Sequence, residues 1–200
     1  MNKGDITARF WAVWYRNWVV YLRTWQVSFL PPILEPILYV AAFGVGFRVL
    51  VPQIQFHGQD MSYVQFIAPA LVAVSVMNSS FFETTYSSFV RMYYQKTFDA
   101  IMAAPVSVHE VITGEIVWGA TRSVMTSMVM IVVLSCFGLI PWPEAFWLLP
   151  VAILGGFAFS SIGMMFTGVI PNIDLFNLPV FLFITPMFLF SGTFFSVDTL

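Results

Sequence analysis

The chain has 200 residues, of which 59% are hydrophobic and only 9% are charged. A soluble domain of this size carries about 25% charged residues. Because so few charges cannot solvate a globular surface, the composition excludes a soluble globular protein and indicates one embedded in lipid. The single cysteine, Cys136, excludes a disulfide within the chain and a cysteine-based metal site.

The N-terminal segment, residues 5–25, is predicted to be an amphipathic helix at the membrane interface. Arg9, Arg16 and Arg23 recur every seven residues, so they form one helical stripe that drifts by only about 20° per step. Four of the seven tryptophans lie on other faces of this segment, which suits indole rings at headgroup level. The arginines also exclude a secretory signal peptide. The stripe is either a topology anchor alone or a surface that faces a cytoplasmic partner.

Five hydrophobic stretches follow, each about the 20 residues that a membrane-spanning helix needs. The predicted spans are residues 27–51, 63–83, 111–140, 145–170 and 175–195. The longest and most charged connection is 84–110, between the second and third spans.

The positions of lysine and arginine predict the orientation. Six basic residues precede the first span or lie between the second and third, whereas only Arg48 lies on the opposite side. The N-terminus and the connection 84–110 are therefore expected in the cytoplasm. The chain then stops abruptly outside, after the fifth span, which predicts that a sixth span is missing by truncation. A complete five-span protein is the alternative.

The connection 84–110 contains a second amphipathic segment. Phe98, Ile101 and Met102 recur at helical spacing, and the segment ends before Pro105, because residues that precede proline avoid the α conformation. A helix at about residues 97–104 with an exposed aromatic face is suited to docking into a groove of a partner. A helix that lies on the bilayer is the alternative.

Four ionisable residues fall within the predicted spans: Glu35, Glu83, Glu115 and Arg122. At 1.5 Å per residue, Glu35 and Arg122 would lie roughly 12 and 16 Å above the cytoplasmic starts of their spans. Ionisable groups at such depth usually pair or face a water-filled path. We expect a structural ion pair between Arg122 and either Glu35 or Glu115; direct contact with a substrate is the alternative.

The motifs of several enzyme classes are missing from the sequence. No G-x-x-x-x-G-K-[S/T] phosphate loop occurs, so the chain cannot energise itself with ATP. His57 and His109 stand alone, and no H-E-x-x-H motif occurs. We therefore predict no catalytic, cofactor-binding or metal-binding residues.

Blocks along nearly the whole chain carry a family resemblance through their order and spacing. They are residues 14–17, 34–39 with 44–46, 82–86 with 89–92, 114–122, and 185–192 with 195–198. In these blocks the sequence resembles the ABC-2 family of export permeases, and within it the nodulation-type lipo-oligosaccharide exporter permeases. The resemblance implies an all-α polytopic membrane protein with six spans, of which this chain would hold five.

The resemblance also implies partners and roles. Segment 5–25 would be a cytoplasmic gate helix, and segment 97–104 a coupling helix. Two permease copies would join two ATP-binding cassette ATPase subunits in the bacterial inner membrane and export an amphiphilic substrate, with no nucleic acid involved. Lipo-oligosaccharide or glycolipid-like cargo follows from the subfamily, whereas the wider family includes drug-like cargo. The residues expected to contact the ATPase are Phe98, Asp99, Ile101 and Met102, supported by Arg16 and Arg23.

Two readings from other classes compete with the exporter. An ion-coupled secondary transporter would predict internal repeats with broken helices at matching positions, and no convincing repeat occurs. A membrane assembly protein without transport activity would fit the hydrophobicity, but it leaves the 97–104 helix and the intramembrane charges without a role.

Overall fold

The computed structural model describes residues 7–46, 54–56 and 59–193. This part of the chain is a helical bundle with one short β-hairpin, which confirms the predicted all-α membrane fold. The helices are α1 (Phe10–Arg23), α2 (Trp25–Ala41), α3 (Tyr63–Phe82), α4 (Thr97–Met102), α5 (Val108–Cys136), α6 (Trp142–Val169) and α7 (Ile173–Phe190). Helix α7 begins with a 3-10 turn and contains a π-helical stretch, Val180–Ile184.

Four helices in the described ranges are long and apolar enough to cross a membrane. They are Tyr63–Tyr94, Val108–Cys136, Ala145–Val169 and Ile173–Phe190. The first predicted span falls on a shorter apolar helix, Ser28–Ala41, which continues as a π-helical turn to Gly46. The last part of that predicted span, residues 47–51, lies outside the described residues, as do residues 194 and 195 of the fifth.

Helix α3 does not end at residue 83, where the hydrophobic stretch ends. It continues to Tyr94 through two π-helical stretches, Glu83–Ser87 and Val90–Tyr94; we call residues 83–94 the α3 extension. The predicted start of the loop at Thr84 was therefore wrong. Thr84 and Thr85 are buried, and their hydroxyls donate to carbonyls one turn earlier. The hydroxyls of these two threonines thus have hydrogen-bond partners without water, and the helix continues past them.

Helices α3, α5 and α6 pack along a seam of small residues. A Cβ atom at Gly119 of α5 would lie 2.5 Å from Ser160 Oγ of α6 and 2.6 Å from Thr84 Cγ2. A Cβ atom at Gly163 of α6 would collide with Thr84 Oγ1. Glycine is therefore required for the three backbones to approach so closely, as is common in membrane bundles. Thr167 of α6 also donates to the Thr84 carbonyl at 2.6 Å, at the π-helical stretch.

The bundle is apolar both inside and outside. At the end near the hairpin, the core contains Ile67 and Leu71 of α3 with Met130 and Leu134 of α5. The outer faces of α6 and α7 also expose large apolar side chains; Leu154, for example, is 73% exposed. Such a surface is stable only in an apolar solvent, which fits a bilayer.

The connection between α2 and α3 contains the hairpin. Strand β1 (Ile54–Phe56) pairs in antiparallel fashion with β2 (Gln59–Met61), and Ile54 lies opposite Met61. At the opposite end of the bundle lie α1, the α3 extension and α4. We call this the basic end, because most of the arginines are there.

Candidate functional site

A set of four charged side chains lies between α3 and α5 at the basic end: Glu83, Arg91, Glu115 and Arg122 (the charge network). The side chain of Glu115 is fully buried, and those of Glu83 and Arg91 are 5% and 14% exposed. Arg91 follows Glu83 by eight residues. A π-helical turn takes up an additional residue. Arg91 therefore lies on the helix face that the seventh residue after Glu83 would occupy in a regular α-helix, which is the face of Glu83 itself.

Arg91 connects the two carboxylates. Its Nη1 atom lies 2.9 Å from Glu83 Oε1, and its Nη2 and Nε atoms lie 2.5 and 3.0 Å from Glu115 Oε2. The Ser88 hydroxyl donates to the same Glu115 oxygen at 2.7 Å. Asn17 of α1 donates to the other one, Oε1, at 2.9 Å. The buried Glu115 carboxylate thus joins α1, the α3 extension and α5, and both of its oxygens accept hydrogen bonds.

Arg122 binds the remaining oxygen of Glu83. Its Nη1 atom lies 3.4 Å from Glu83 Oε2, while the Trp118 indole donates to Glu83 Oε1 at 2.9 Å. The guanidinium of Arg122 also lies over the Tyr21 ring, 5.4 Å from its centroid, in a cation–π contact.

The predicted partners of Arg122 were therefore wrong. Glu115 is paired with Arg91, and Glu35 lies beside Tyr39 on its own helix. Depth along the span had suggested the pairing, but depth alone does not give the direction in which a helical side chain points. Residue spacing along two helices sets that direction.

Helix α1 packs directly on α5. Val13 is buried and contacts Gly114, where a Cβ atom would lie only 2.6 Å from the Val13 Cβ. The Trp14 indole donates to the Thr121 hydroxyl at 3.0 Å. The α1 helix is therefore held by specific contacts along one face.

The arginine stripe of α1 does not form a common surface. Arg9 donates to the Pro105 carbonyl after α4, Arg23 is exposed, and Arg16 turns toward the charge network. Burial lowers the pKa of the Arg16 guanidinium, whereas the nearby Glu115 carboxylate raises it.

Beside the charge network is a cavity of about 410 Å³ between α1, the α3 extension and α5. Its lining combines charged and aromatic side chains, including Arg16, Glu83, Tyr86, Arg91, Trp118 and Arg122. The sequence identified three of the network residues as intramembrane charges, but it assigned Arg91 to a loop.

Helix α4 begins at Thr97 and is attached to the bundle by Phe98. Phe98 is 5% exposed and packs with Val13 of α1, Val111 of α5 and Met164 of α6. The prediction that α4 exposes an aromatic face is therefore wrong for Phe98, which is buried. Asp99 and Met102 are exposed and Ile101 is half-buried, so the outward face of α4 is small and polar with one methionine.

The chain that leads out of α4 is also fixed. Ser107 and Glu110 form a capping box at the start of α5, in which Ser107 N donates to Glu110 Oε2 at 2.7 Å. Thr7, which precedes α1, donates to Glu110 Oε1 from its backbone at 3.1 Å. The N-terminus of α1, the loop after α4 and the first turn of α5 are thus connected.

The fold and the site define a polytopic membrane protein with a buried charge network at one end. The sequence model of the ABC-2 type transporter family matches residues 8–200. The chain is 33% identical over 189 residues to Nodulation protein J of Rhizobium meliloti (strain 1021) and 34% identical over 189 residues to Nodulation protein J of Rhizobium leguminosarum bv. trifolii. Each alignment covers 94% of this chain and 71% of the relative.

A relative of different name is the inner membrane transport permease YadH of Escherichia coli (strain K12). It is 27% identical over 195 residues, which cover 94% of this chain and 72% of the relative. No solved structure matches the chain. The chain belongs to the ABC-2 type transporter family, as the sequence resemblance predicted, and it is a membrane transport protein rather than an enzyme.

Proposed function

We propose that the chain is the membrane-spanning permease of a bacterial ABC exporter. It forms the outward path for an amphiphilic substrate across the inner membrane, with α1 and α4 in the cytoplasm, and a separate ATP-binding cassette ATPase supplies the energy. Membership of the ABC-2 family and the name of the YadH relative support the permease role. Lipo-oligosaccharide or glycolipid-like cargo rests on the subfamily resemblance alone.

The observation that carries the proposal is the environment of α4. Its inner side is fixed in an apolar cluster by Phe98, and its outer side exposes Asp99 and Met102. An exposed face on a helix that is held from behind suits docking into a groove of a partner. A force applied to that face reaches α1 and α5 through the contacts of Phe98 with Val13 and Val111.

The expected ATPase contacts therefore divide into two groups. Asp99 and Met102, with Arg23 at the end of α1, are exposed and are proposed to touch the ATPase. Phe98, Ile101 and Arg16 are proposed to position that surface from inside. The cytoplasmic placement of this end is supported by the excess of lysine and arginine there.

A second permease copy and membrane lipid are the proposed neighbours of the outer apolar surface. Large apolar side chains are exposed on α2, α6 and α7, such as Leu38, Trp147 and Leu182. The homodimer is part of the family arrangement that the resemblance implies, and lipid would cover the rest of this surface.

The test is co-purification of the full-length permease with its candidate ATPase. Asp99→Lys reverses a charge on the outward face of α4 and is expected to reduce the amount of bound ATPase about tenfold or more, as substitution of an interface hot spot does. Asp174→Lys is the matched control, because Asp174 is an exposed acidic residue in the first turn of α7. Its ATPase binding is expected to equal that of the wild type.

Phe98→Ala is unsuited to this test because it would create a cavity inside the permease itself. Equal binding of the ATPase by wild type and Asp99→Lys, with both proteins monodisperse, would refute α4 as the docking site. Equal loss in Asp174→Lys would show that the effect is one of overall charge.

A further inference from the structure

The cavity beside α1 has more positive than negative charge on its walls. Three arginines line it, Arg16, Arg91 and Arg122, whereas the nearby carboxylates are Glu83 and Glu115. Arg91 pairs with both carboxylates, and Arg122 pairs with the second oxygen of Glu83. One positive charge therefore remains without a carboxylate of its own among the described residues, and it belongs to Arg16.

The contacts of Arg16 support this assignment. Its Nη2 atom donates to the side-chain oxygen of Asn17, a neutral group. Its Nε atom is buried and has no hydrogen-bond partner in the described part of the chain. Among the described residues the guanidinium of Arg16 is therefore paired with no carboxylate, and it lines the cavity.

We infer that this cavity binds the phosphoryl oxyanion of an anionic membrane lipid, with Arg16 and Arg122 as its two cationic ligands. Guanidinium groups match the oxygens of a phosphate in geometry as well as in charge. The volume of about 410 Å³ is in the range of small-ligand pockets, and aromatic side chains such as Trp118 form part of the wall. A carboxylate at Glu83 already occupies one edge of Arg122, so the oxyanion would bind at its other donors.

The position of the cavity favours a lipid over a soluble anion. Its outer wall is α1, an amphipathic helix whose indole rings belong at headgroup level. A lipid can therefore place its headgroup beneath α1 while its acyl chains stay in the bilayer. Basic pockets between membrane helices on the cytoplasmic side are typical headgroup sites. This lipid would be a resident one, so the inference is independent of the identity of the cargo.

The test is native mass spectrometry of the detergent-purified full chain, titrated with phosphatidylglycerol or with phosphatidylcholine. Wild type is expected to retain one phosphatidylglycerol with at least a tenfold preference over phosphatidylcholine. Arg16→Gln and Arg122→Gln, which lie on different helices, are each expected to reduce that preference about tenfold. Arg16→Lys keeps the charge and is expected to retain part of it.

Arg23→Gln is the matched control, because Arg23 is on the same helix but exposed. Its preference for phosphatidylglycerol is expected to equal that of the wild type. Inorganic phosphate at millimolar concentration separates the two sources of the oxyanion. If it displaces the lipid, the phosphoryl group alone is recognised; if it does not, the site requires the lipid-tethered group. Both results support the site.

Three results would overturn the inference. They are no preference for phosphatidylglycerol in the wild type, an unchanged preference in both Arg16→Gln and Arg122→Gln, and an equal loss in Arg23→Gln. The last would mean that the lipid responds to the general charge of α1. Gel filtration of each variant, together with the partial retention in Arg16→Lys, separates loss of the site from loss of the fold.

Discussion

Arg91→Gln tests whether the charge network holds the bundle together. Arg91 is the only described residue that pairs with both Glu83 and Glu115. Glutamine is shorter and neutral, so it leaves the fully buried Glu115 carboxylate without its ion-pair partner. Asn17 and Ser88 still donate to that carboxylate, but they do not neutralise it. We expect Arg91→Gln to destabilise the protein more than any other single substitution in the network.

The magnitude follows from burial. Removing one partner of a buried ion pair costs about 3–5 kcal/mol, because the other charge is left in a low-dielectric environment. Glu115→Gln is expected to cost less, since Arg91 then still has Glu83 as a partner. The double variant Arg91→Gln/Glu115→Gln restores neutrality, because Arg122 and Glu83 remain paired. It should therefore be more stable than Arg91→Gln alone.

The assay is equilibrium unfolding in mixed micelles, with fluorescence of the tryptophans as the signal. The coupling energy between Arg91 and Glu115 is expected to be about 0.5–3 kcal/mol from the double-mutant cycle. Arg23→Gln, at an exposed site, should change the free energy of unfolding by no more than about 0.5 kcal/mol. If Arg91→Gln resembles Arg23→Gln, or if the two single effects simply add, the network does not hold the bundle as argued.

Two further predictions concern the packing of α6. Gly163→Ala places a methyl group against Thr84 Oγ1 and is expected to destabilise the protein by about 1–3 kcal/mol, whereas Gly168→Ala meets no atom within 4 Å and should be neutral or stabilising. Equal thermal stability of the two variants in detergent would contradict the close approach of α6 to α3. Thr167→Val removes the donor to the Thr84 carbonyl and should cost about 1–3 kcal/mol; a melting temperature equal to that of the wild type would show that this bond does not stabilise the π-helical stretch.

The sequence predicted the elements of the fold better than their ends. It placed α4 at about residues 97–104, and the structure has the helix at Thr97–Met102. It started the next span at residue 111, although α5 begins at Val108. Hydrophobicity marks the apolar interior of a span, whereas its first turn is polar. The pattern Ser107-x-x-Glu110 is a capping box and gives the correct start.

The contacts of the candidate site were harder to predict because they depend on local helix geometry. Glu83, Glu115 and Arg122 were identified from the sequence because an ionisable side chain is energetically costly inside a membrane. Arg91 was missed, since the apolar stretch ends near Thr84 and the following residues look like a loop. The π-helical stretches of the α3 extension then change which residues share a face. Neither hydrophobicity nor the seven-residue spacing of a regular helix reports such a change.

The same contacts limit how a permease of this kind can move. Phe98 joins α4 to α1 and α5 through an apolar cluster, and Glu115 joins α1, the α3 extension and α5 through directional bonds. A buried ion pair contributes little net stability compared with apolar packing of similar volume, so its physical effect here is to fix the relative positions of these helices. Any displacement of α4 by a partner must therefore carry α1 and α5 with it or break the Phe98 cluster. Because the charge network also binds the α3 extension to α1 and α5, a displacement that keeps the Phe98 cluster intact must move the α3 extension as well or break the network.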